Sequence, residues 1–373
     1  MTDGATSRLE RWLGRHDAAV AAALVALGAA ARIRAARAPF LTPDEALHLA
    51  IANSGSAVEV YRTSLYNAHP PLFVLLLRLW KSVVTSDWAL RLLPVLFGTL
   101  FLWAAYRWTR RLLGPVAALW TLVFMAFLPS LVLVTSELRG YALLLCATAA
   151  ALACLERALD EGSAPWMGAF AALAAAALLS HYAAFRFVAA ALAYSAVRVL
   201  APPRSPKRLA AWASAFAALT VLSAFLAATH VSHLRGGALE AEARATWLKS
   251  SYFDPASGGA AAFLGRQTLA LFAYLFSTPA TAVAALVLFA AGIGLLAVRR
   301  NPAALLLVLP FVLAAVGGLV AVYPYGGSRH SIDLAPFLAA AMAFALSRLT
   351  GGRLWPALAA AVALAPAAFF AAG

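Results

Sequence analysis

The chain has 373 residues, of which 64% are hydrophobic and 12% are charged. Soluble domains carry about 25% charged residues, so this composition excludes an ordinary soluble protein. The net charge of +14 does not indicate nucleic-acid binding, because the Arg and Lys residues form short clusters between apolar segments, without a basic stripe or aromatic stacking residues. We predict an all-α polytopic membrane protein, since a chain within lipid must satisfy its backbone hydrogen bonds internally.

The first apolar segment, residues 17–36, follows Arg8, Arg11 and Arg15. Cytoplasmic loops are enriched in Lys and Arg, so we expect the N-terminus in the cytoplasm and the residues after this segment outside. The segment is Ala-rich and is followed by further arginines. These features favour a retained signal anchor over a cleaved signal peptide.

The first outside loop is predicted to span residues 37–87. Residues 45–60 are too polar to cross a membrane and fit a short helix at the interface. The next apolar stretch, 71–84, is shorter than the ~20 residues that a crossing needs, and it contains Arg78 and Lys81. We therefore expect a second juxtamembrane helix here, lying flat.

The remaining Arg and Lys clusters predict the other spans. The clearest cytoplasmic loop is APPRSPKR, with four basic residues from Arg198 to Arg208, and a second long outside loop is expected at 230–278. We predict one transmembrane domain over residues 1–373, without a separate soluble domain. About eleven spans are expected in it, at residues 17–36, 88–106, 115–133, 141–157, 165–180, 183–199, 209–229, 280–298, 303–322, 332–348 and 354–370.

Five motifs of mixed polarity fall on the outside face in this topology, whereas the cytoplasmic loops hold mainly Arg and Lys. Ionisable residues at membrane depth are costly, and they are functional candidates by default. The motifs are PDEALH (43–48), YNAHPPL (66–72), SELRGYAL (136–143), SHYAAF (180–185) and YPYGGSRHS (323–331).

The acidic pair Asp44 and Glu45 has two compatible interpretations. Asp44 follows Pro43, so it suits a helix N-cap, and Glu45 suits the first helical turn. The same geometry also directs a carboxylate towards a cavity, where it can act as a base.

The other motifs also carry structural and functional alternatives. Glu137 and Arg139 are two residues apart, a spacing that does not place helical side chains face to face, so function is favoured over a local ion pair. His181 and Tyr182 suit substrate contacts and interfacial anchoring equally, since Tyr is enriched at membrane interfaces. His69 precedes two prolines, which present its imidazole rigidly; a structural role is more usual there than proton transfer.

The late motif YPYGGSRH predicts an anion-binding loop. Gly326 and Gly327 permit a tight backbone. Arg329 and His330 follow at the start of a span, on the side where positive charge is disfavoured. An anionic ligand explains basic residues in this position.

Together the motifs supply a carboxylate base, arginines suited to a phosphate, and His and Tyr hydrogen-bonding groups. A membrane enzyme with a lipid-linked phosphate donor needs these groups. The sequence contains no HExxH or CxxC motif and no Asp/Glu/His cluster at a recognisable spacing. We therefore assign no metal site and no required cofactor, and a divalent metal stays unassigned.

Several stretches resemble the GT-C superfamily of membrane glycosyltransferases, and most closely its ArnT-like, protein-O-mannosyltransferase-like branch of the family 39 type. They cover about the first 160 residues and one late motif, whereas 185–320 is recognisable only as hydrophobic spans. The stretches are PDEA (43–46), HPPLFVLLLRLW (69–80), DWALRLLPVLFG (87–98), SELRGYALL (136–144) and YPYGGSRHSIDLAPF (323–337).

The resemblance implies transfer of a sugar from a polyprenyl-phosphate carrier to an acceptor hydroxyl on the outer face of the cell membrane. It implies Asp44 as the general base, assisted or oriented by Glu45, and Arg139 and Arg329 as contacts to the donor phosphate. The other predicted substrate-binding residues are His69, Glu137, Tyr141, His181, Tyr182 and His330.

The acceptor is expected to be a lipid, a glycan or a protein. The chain is short and shows no soluble C-terminal domain, so acceptor recognition falls to the loops, and a protein acceptor is the least favoured. The alternative function is a transporter or flippase of lipid-linked sugars. Such a protein needs polar residues along the depth of several spans, whereas here they concentrate at one end.

Overall fold

The structure is a computed structural model that describes residues 3–67, 69–234 and 236–349. Within these ranges the chain is helical and contains no β-strand. The predicted all-α class is therefore confirmed. The helices are α1 Asp3–Ala35, α2 Pro43–Ala52, α3 Ala57–Ser64, α4 Leu72–Trp80, α5 Asp87–Leu113, α6 Pro115–Phe127, α7 Pro129–Val134, α8 Tyr141–Glu161, α9 Ala164–Leu178, α10 Ala184–Leu200, α11 Pro206–Leu226, α12 Ser232–Leu234, α13 Ala238–Ala245, α14 Ala260–Phe276, α15 Pro279–Val298, α16 Ala303–Leu319 and α17 Ala335–Leu349.

Six segments of the described chain are long and apolar enough to cross a membrane by length and composition. They are His16–Ala35, Asp87–Leu113, Tyr141–Glu161, Pro206–Leu234, Pro279–Val298 and Arg329–Arg348. Four shorter apolar helices accompany them, α6, α9, α14 and α16. Nine predicted spans coincide with helices, the span predicted at 115–133 is divided between α6 and α7, and the eleventh, 354–370, lies outside the described residues, so the count of eleven stays a prediction.

Several of these helices begin with the same local signal. Ser86, Ser205 and Thr278 each cap a helix by accepting a hydrogen bond from the backbone N–H three residues later. After Ser205 and Thr278 the first helical residue is proline. Proline is favoured there because its missing N–H would have no helical partner.

Two helices form the centre of the bundle. α8 packs against α5 and α9, and α17 packs against α6 and α15. The spans that contain α8 and α17 are also the most buried of the six. A 3₁₀ turn, Arg329–Leu334, leads into α17 and contacts α7 and α8, so the late motif lies beside the turn that contains Glu137 and Arg139.

The first loop contains three short helices where two were expected. The prediction of one helix over 45–60 is wrong, because the chain turns between Asn53 and Ser56. Ser56 and Glu59 form a capping box that begins α3, so the local sequence both ends α2 and restarts the helix. At nine residues, α4 is too short to cross a membrane; the flat orientation of 71–84 stays a prediction.

The second loop, 230–278, follows a π-helical turn at Ala227–Val231. It contains α12, α13, the 3₁₀ turns Lys249–Ser251 and Pro255–Ser257, and α14 up to Phe276. The backbone N–H of Phe253 bonds to the carbonyl of Gly318. This bond ties the loop to the end of α16.

The segment predicted as one span at 115–133 is broken into α6 and α7. Pro129 has no N–H to donate to the carbonyl of Met125, four residues earlier. The buried guanidinium of Arg32 on α1 donates to that oxygen at 3.0 Å and to Ala126 O at 3.3 Å. It also donates to Thr135 Oγ1 at 2.8 Å and to Gly28 O. Arg32 thus satisfies backbone groups that the break exposes.

We expect Arg32→Met to lower the free energy of unfolding by about 3 kcal/mol, because it leaves two buried carbonyls without donors at about 1–3 kcal/mol each. The measurement is thermal unfolding in detergent micelles. Arg32→Lys should restore part of the loss, since an ammonium reaches fewer of these oxygens. Arg37→Met removes an exposed arginine and serves as the control. Equal stability of Arg32→Met and wild type would contradict this role.

Candidate active site

The N-terminus of α2 separates the two acidic residues into different roles. Thr42 is the N-cap, and its hydroxyl accepts from the N–H of Glu45, while Glu45 Oε2 accepts from the N–H of Thr42. The interpretation of Asp44 as the N-cap is therefore wrong. Asp44 lies one residue before the capping glutamate, and its carboxylate points elsewhere.

Glu45 forms a buried ion pair with Arg91 of α5. Arg91 Nε and Nη2 donate to the two carboxylate oxygens at 2.7 and 2.8 Å. Glu45 Oε1 also accepts from the N–H of Leu138 at 2.9 Å. Burial raises the pKa of Glu45, but the hydrogen bonds from Arg91, Thr42 and Leu138 outweigh burial and lower it to about 2. These contacts hold Glu45 in place and favour an orienting role over a chemical one.

Asp44 receives two arginines from distant parts of the chain. Arg139 Nη1 and Arg329 Nη1 each lie 2.9 Å from Asp44 Oδ2. The side chains of Asp44 and Arg329 are 41% and 40% exposed, whereas the side chain of Arg139 is only 6% exposed. The predicted base and the two predicted phosphate contacts therefore meet at one partly exposed oxygen.

Glu137 lies at the edge of this group. Its Oε2 is 3.9 Å from Arg329 Nη1 and has no hydrogen-bond partner among the described residues. Glu137 and Arg139 lie in the turn between α7 and α8 rather than on a helix, so the helical spacing used for them does not apply. Burial raises the pKa of Glu137 against the opposing effect of Arg139 and Arg329.

Three histidines and a tyrosine pack together beside Asp44. The ring centroids of His48 and His69 are 5.3 Å apart, and those of His69 and His181 are 4.8 Å apart. Tyr141 lies 4.9 Å from His181, and the guanidinium of Arg139 lies over its ring at 5.0 Å. We name His48, His69, Tyr141 and His181 the histidine cluster.

Burial lowers the pKa of every imidazole in the cluster. It brings the pKa of His48 to about 4. His69 and His181 are shifted well below the ordinary value, first by burial and then by the neighbouring histidines and arginines. All three rings are uncharged near neutral pH.

The glycines of the late motif let its backbone pack closely against α14. Gly326 has φ of 134°, a region that favours glycine. A Cβ on Gly327 would lie 2.5 Å from the carbonyl oxygen of Ala270. This close packing places Arg329 at Asp44.

His330 lies next to a second buried ion pair. Arg186 Nη2 donates to Asp333 Oδ1 at 2.6 Å and to His330 O at 3.2 Å. The His330 ring lies 6.4 Å from Tyr323, over which Arg186 is placed. Tyr182 stacks on Phe185, and no partner of its hydroxyl lies among the described residues.

Four residues of the site were given no role from the sequence: Arg91, Arg186 and Asp333 in the two buried ion pairs, and His48 in the histidine cluster. Arg186 and Asp333 are 147 positions apart, and Arg91 and Glu45 are 46 apart. For Arg91 and Arg186, the signal present in the sequence was a charged residue inside an apolar helix. Among the described residues, no group of three or more His, Cys, Asp or Glu side chains is arranged to hold a metal ion.

We expect thermal stability in detergent to fall as the pH is lowered from about 6.5 to 4. The unfolded chain binds protons at histidine in this range, with a pKa near 6.5, whereas the folded protein keeps His48 neutral until about 4. Stability therefore rises with pH in this window, by about 3 kcal/mol for His48 alone. Glu45 contributes only below about pH 4.5, because its stabilising charge is lost as the pH falls towards 2.

The measurement is the melting temperature between pH 4 and 8. His48→Asn should flatten the profile, and His233→Asn, which replaces an exposed ring, should leave it unchanged. The same slope in His48→Asn and wild type would show that this ring is not kept neutral by the fold.

Residues 68–228, fewer than half of the chain, match the family described as dolichyl-phosphate-mannose-protein mannosyltransferase. The match covers α4 to α11 and includes His69, Arg139 and His181. No protein with a curated description matches the chain significantly in sequence.

Solved structures of two kinds resemble the chain. ArnT from Cupriavidus metallidurans in the apo state is 15% identical with a TM-score of 0.56, and the same protein bound to undecaprenyl phosphate is 17% identical with a TM-score of 0.55. Both matches cover 90% of this chain and 61% of ArnT. The oligosaccharyltransferase of Archaeoglobus fulgidus, tethered to an acceptor peptide, is 16% identical with a TM-score of 0.55, over 91% of this chain and 50% of that protein.

The chain thus spans less than two thirds of the length of these structures, and at this identity they establish its fold. The resemblance that the motifs indicated is confirmed at that level. The chain has the helical membrane fold of the GT-C glycosyltransferases.

Proposed function

We propose that the protein is an integral-membrane glycosyltransferase that moves a sugar from a polyprenyl-phosphate carrier to an acceptor hydroxyl. The observation that supports it most is the carboxylate of Asp44 held between Arg139 and Arg329. A base and two phosphate-binding groups at one partly exposed point are what this reaction requires. The ArnT structure bound to undecaprenyl phosphate supports the choice of donor.

In the proposed reaction the acceptor oxygen attacks the anomeric carbon, and the bond from that carbon to the phosphate oxygen breaks. The proton of the acceptor hydroxyl passes to Asp44. The carrier phosphate leaves with the bonding electrons, and Arg139 and Arg329 stabilise its negative charge. Before the donor binds, both guanidinium groups are paired with the carboxylate of Asp44. The donor phosphate competes for the two arginines, and this frees the carboxylate to accept the proton.

The site is proposed to lie at the outer face of the cell membrane, with the N-terminus in the cytoplasm. The support is the positive-inside pattern of the loops, together with the meeting of PDEALH, SELRGYAL and YPYGGSRHS that this topology anticipates. Arg198, in the predicted cytoplasmic part, pairs with Glu156 and Asp160 at the opposite end of α8 from Tyr141. The site residues lie at the other end of that helix.

We expect Asp44→Asn to reduce transfer at least 100-fold, the usual contribution of a general base, at an unchanged melting temperature. The assay follows radiolabelled sugar from a polyprenyl-phosphate pool in membranes. Asp160→Asn is a matched control, because Asp160 also bridges two arginines and is 41% exposed. Transfer by Asp44→Asn at the wild-type rate would disprove the assignment, and accumulation of carrier-linked sugar across the membrane without transfer would favour the flippase alternative.

Glu45→Gln is expected to act through folding. It removes one charge from a buried ion pair, which costs about 3 kcal/mol or more when the partner stays charged. Melting temperature and activity per folded molecule should be measured together. A stable Glu45→Gln protein without activity would contradict a role through folding alone.

A further inference from the structure

The histidine cluster and the Asp44 bridge form one closed circuit of contacts. From Asp44 it runs through Arg139, Tyr141, His181 and His69 to His48. His48 Nδ1 then lies 2.7 Å from the carbonyl oxygen of Asp44 itself. The cluster rings are buried, whereas Asp44 is partly exposed. The circuit therefore meets solvent at the proposed site of chemistry.

The hydrogen bonds at the two ends of the cluster fix which ring nitrogens carry protons. A carbonyl oxygen only accepts, so His48 Nδ1 carries the hydrogen, and Nε2 of the neutral ring is an acceptor. At the other end, His181 Nδ1 accepts from the N–H of Ala183 at 3.1 Å. The neutral His181 ring therefore carries its hydrogen on Nε2, which is a donor.

The other polar side-chain atoms of the cluster have no hydrogen-bond partner among the described residues. The unpaired atoms are His48 Nε2, both ring nitrogens of His69, His181 Nε2 and the hydroxyl of Tyr141. A buried polar atom without a partner costs about 1–3 kcal/mol. Four adjacent side chains with unpaired atoms, next to a proposed active site, indicate a ligand that supplies the partners.

We propose that His48, His69, Tyr141 and His181 form a subsite that binds an uncharged, hydroxyl-bearing sugar ring of the donor, beside the phosphate held by Arg139 and Arg329. The inference rests on the proposed function and names the class of sugar. In this proposal the charged arginines bind the phosphate of the donor, and the neutral histidine cluster binds its sugar.

The polarity of the cluster distinguishes a hydroxylated sugar from charged groups. A hydroxyl both donates and accepts, so it pairs with the acceptor of His48 and with the donor of His181. A phosphate oxygen only accepts and is repelled by the lone pair of His48 Nε2. An ammonium only donates, so it cannot pair with His181 Nε2, which is also a donor. The charged guanidinium of Arg139, which lies beside the cluster, would repel it. The uncharged state of the rings is consistent with a neutral ligand.

The test compares binding of four probes to the full chain in lipid nanodiscs: undecaprenyl phosphate alone, and the same carrier bearing mannose, glucose or glucosamine. In wild type, at least one neutral sugar should improve affinity about tenfold or more over the bare carrier, and glucosamine should improve it less. One hydrogen bond of about 1.4 kcal/mol corresponds to tenfold.

His181→Asn should abolish most of this gain and leave the affinity for the bare carrier unchanged. The asparagine amide reaches as far as Nδ1 and still accepts from Ala183, but it has no group at Nε2. His181→Gln extends to the Nε2 position and should restore the gain. His48→Asn keeps the bond to the Asp44 carbonyl and should lose the gain in the same way.

Arg329→Gln tests the phosphate contact separately from the sugar subsite, because it should weaken the binding of all four probes alike. If the bare carrier binds and depends on Arg329, but no sugar adds affinity or both Asn variants keep the gain, the subsite is disproved and the proposed function stands. The same holds if glucosamine gives the largest gain, or if the Asn variants only lower the melting temperature. If no carrier binds wild type, the proposed function fails together with the subsite.

Discussion

The ion pair between Glu45 and Arg91 is the contact on which the geometry of the candidate site depends. Burying two charges is expensive unless each is fully hydrogen-bonded. Here Arg91 also donates to the carbonyls of Ala38 and Phe40 after α1, and Glu45 also accepts from the N–H of Leu138. Because Asp44 precedes Glu45 and Arg139 follows Leu138, fixing Glu45 against Leu138 brings Asp44 and Arg139 together. The buried acid sets the register, and the partly exposed acid is left free for the proposed chemistry.

Burial divides the site into two parts with different electrostatics. Asp44 and Arg329 remain partly exposed, which suits exchange of one anionic partner of Arg329 for another. The histidine cluster is buried, so its imidazole rings are neutral, and backbone groups fix the hydrogen-bonding direction of His48 and His181. Arg139 belongs to both parts, since it pairs with Asp44 and covers the ring of Tyr141.

Hydropathy and the placement of Arg and Lys predicted most of the helices and the meeting of the outside motifs. Both depend on local composition, which a single sequence displays. The partner of a buried charge is not displayed: nothing near Arg91 indicates Glu45, and nothing near Arg186 indicates Asp333. Pro129 is visible in the sequence, but the apolar segment around it has the length of one span, so the helix break was not predicted. His48 and its bond to the Asp44 carbonyl depend on the first turn of α2, and its position beside His69 depends on tertiary packing.

The two arginines at Asp44 lie far apart in the sequence, so the ribosome synthesises them at different times. Arg139 is synthesised early, together with every member of the histidine cluster up to His181, and Arg329 is synthesised long afterwards. The carboxylate can therefore be neutralised by its first partner while later helices are still entering the bilayer, which avoids leaving a bare charge near lipid. The second arginine arrives with the turn that leads into α17, so the proposed anion-binding surface is completed only when this central helix has been inserted.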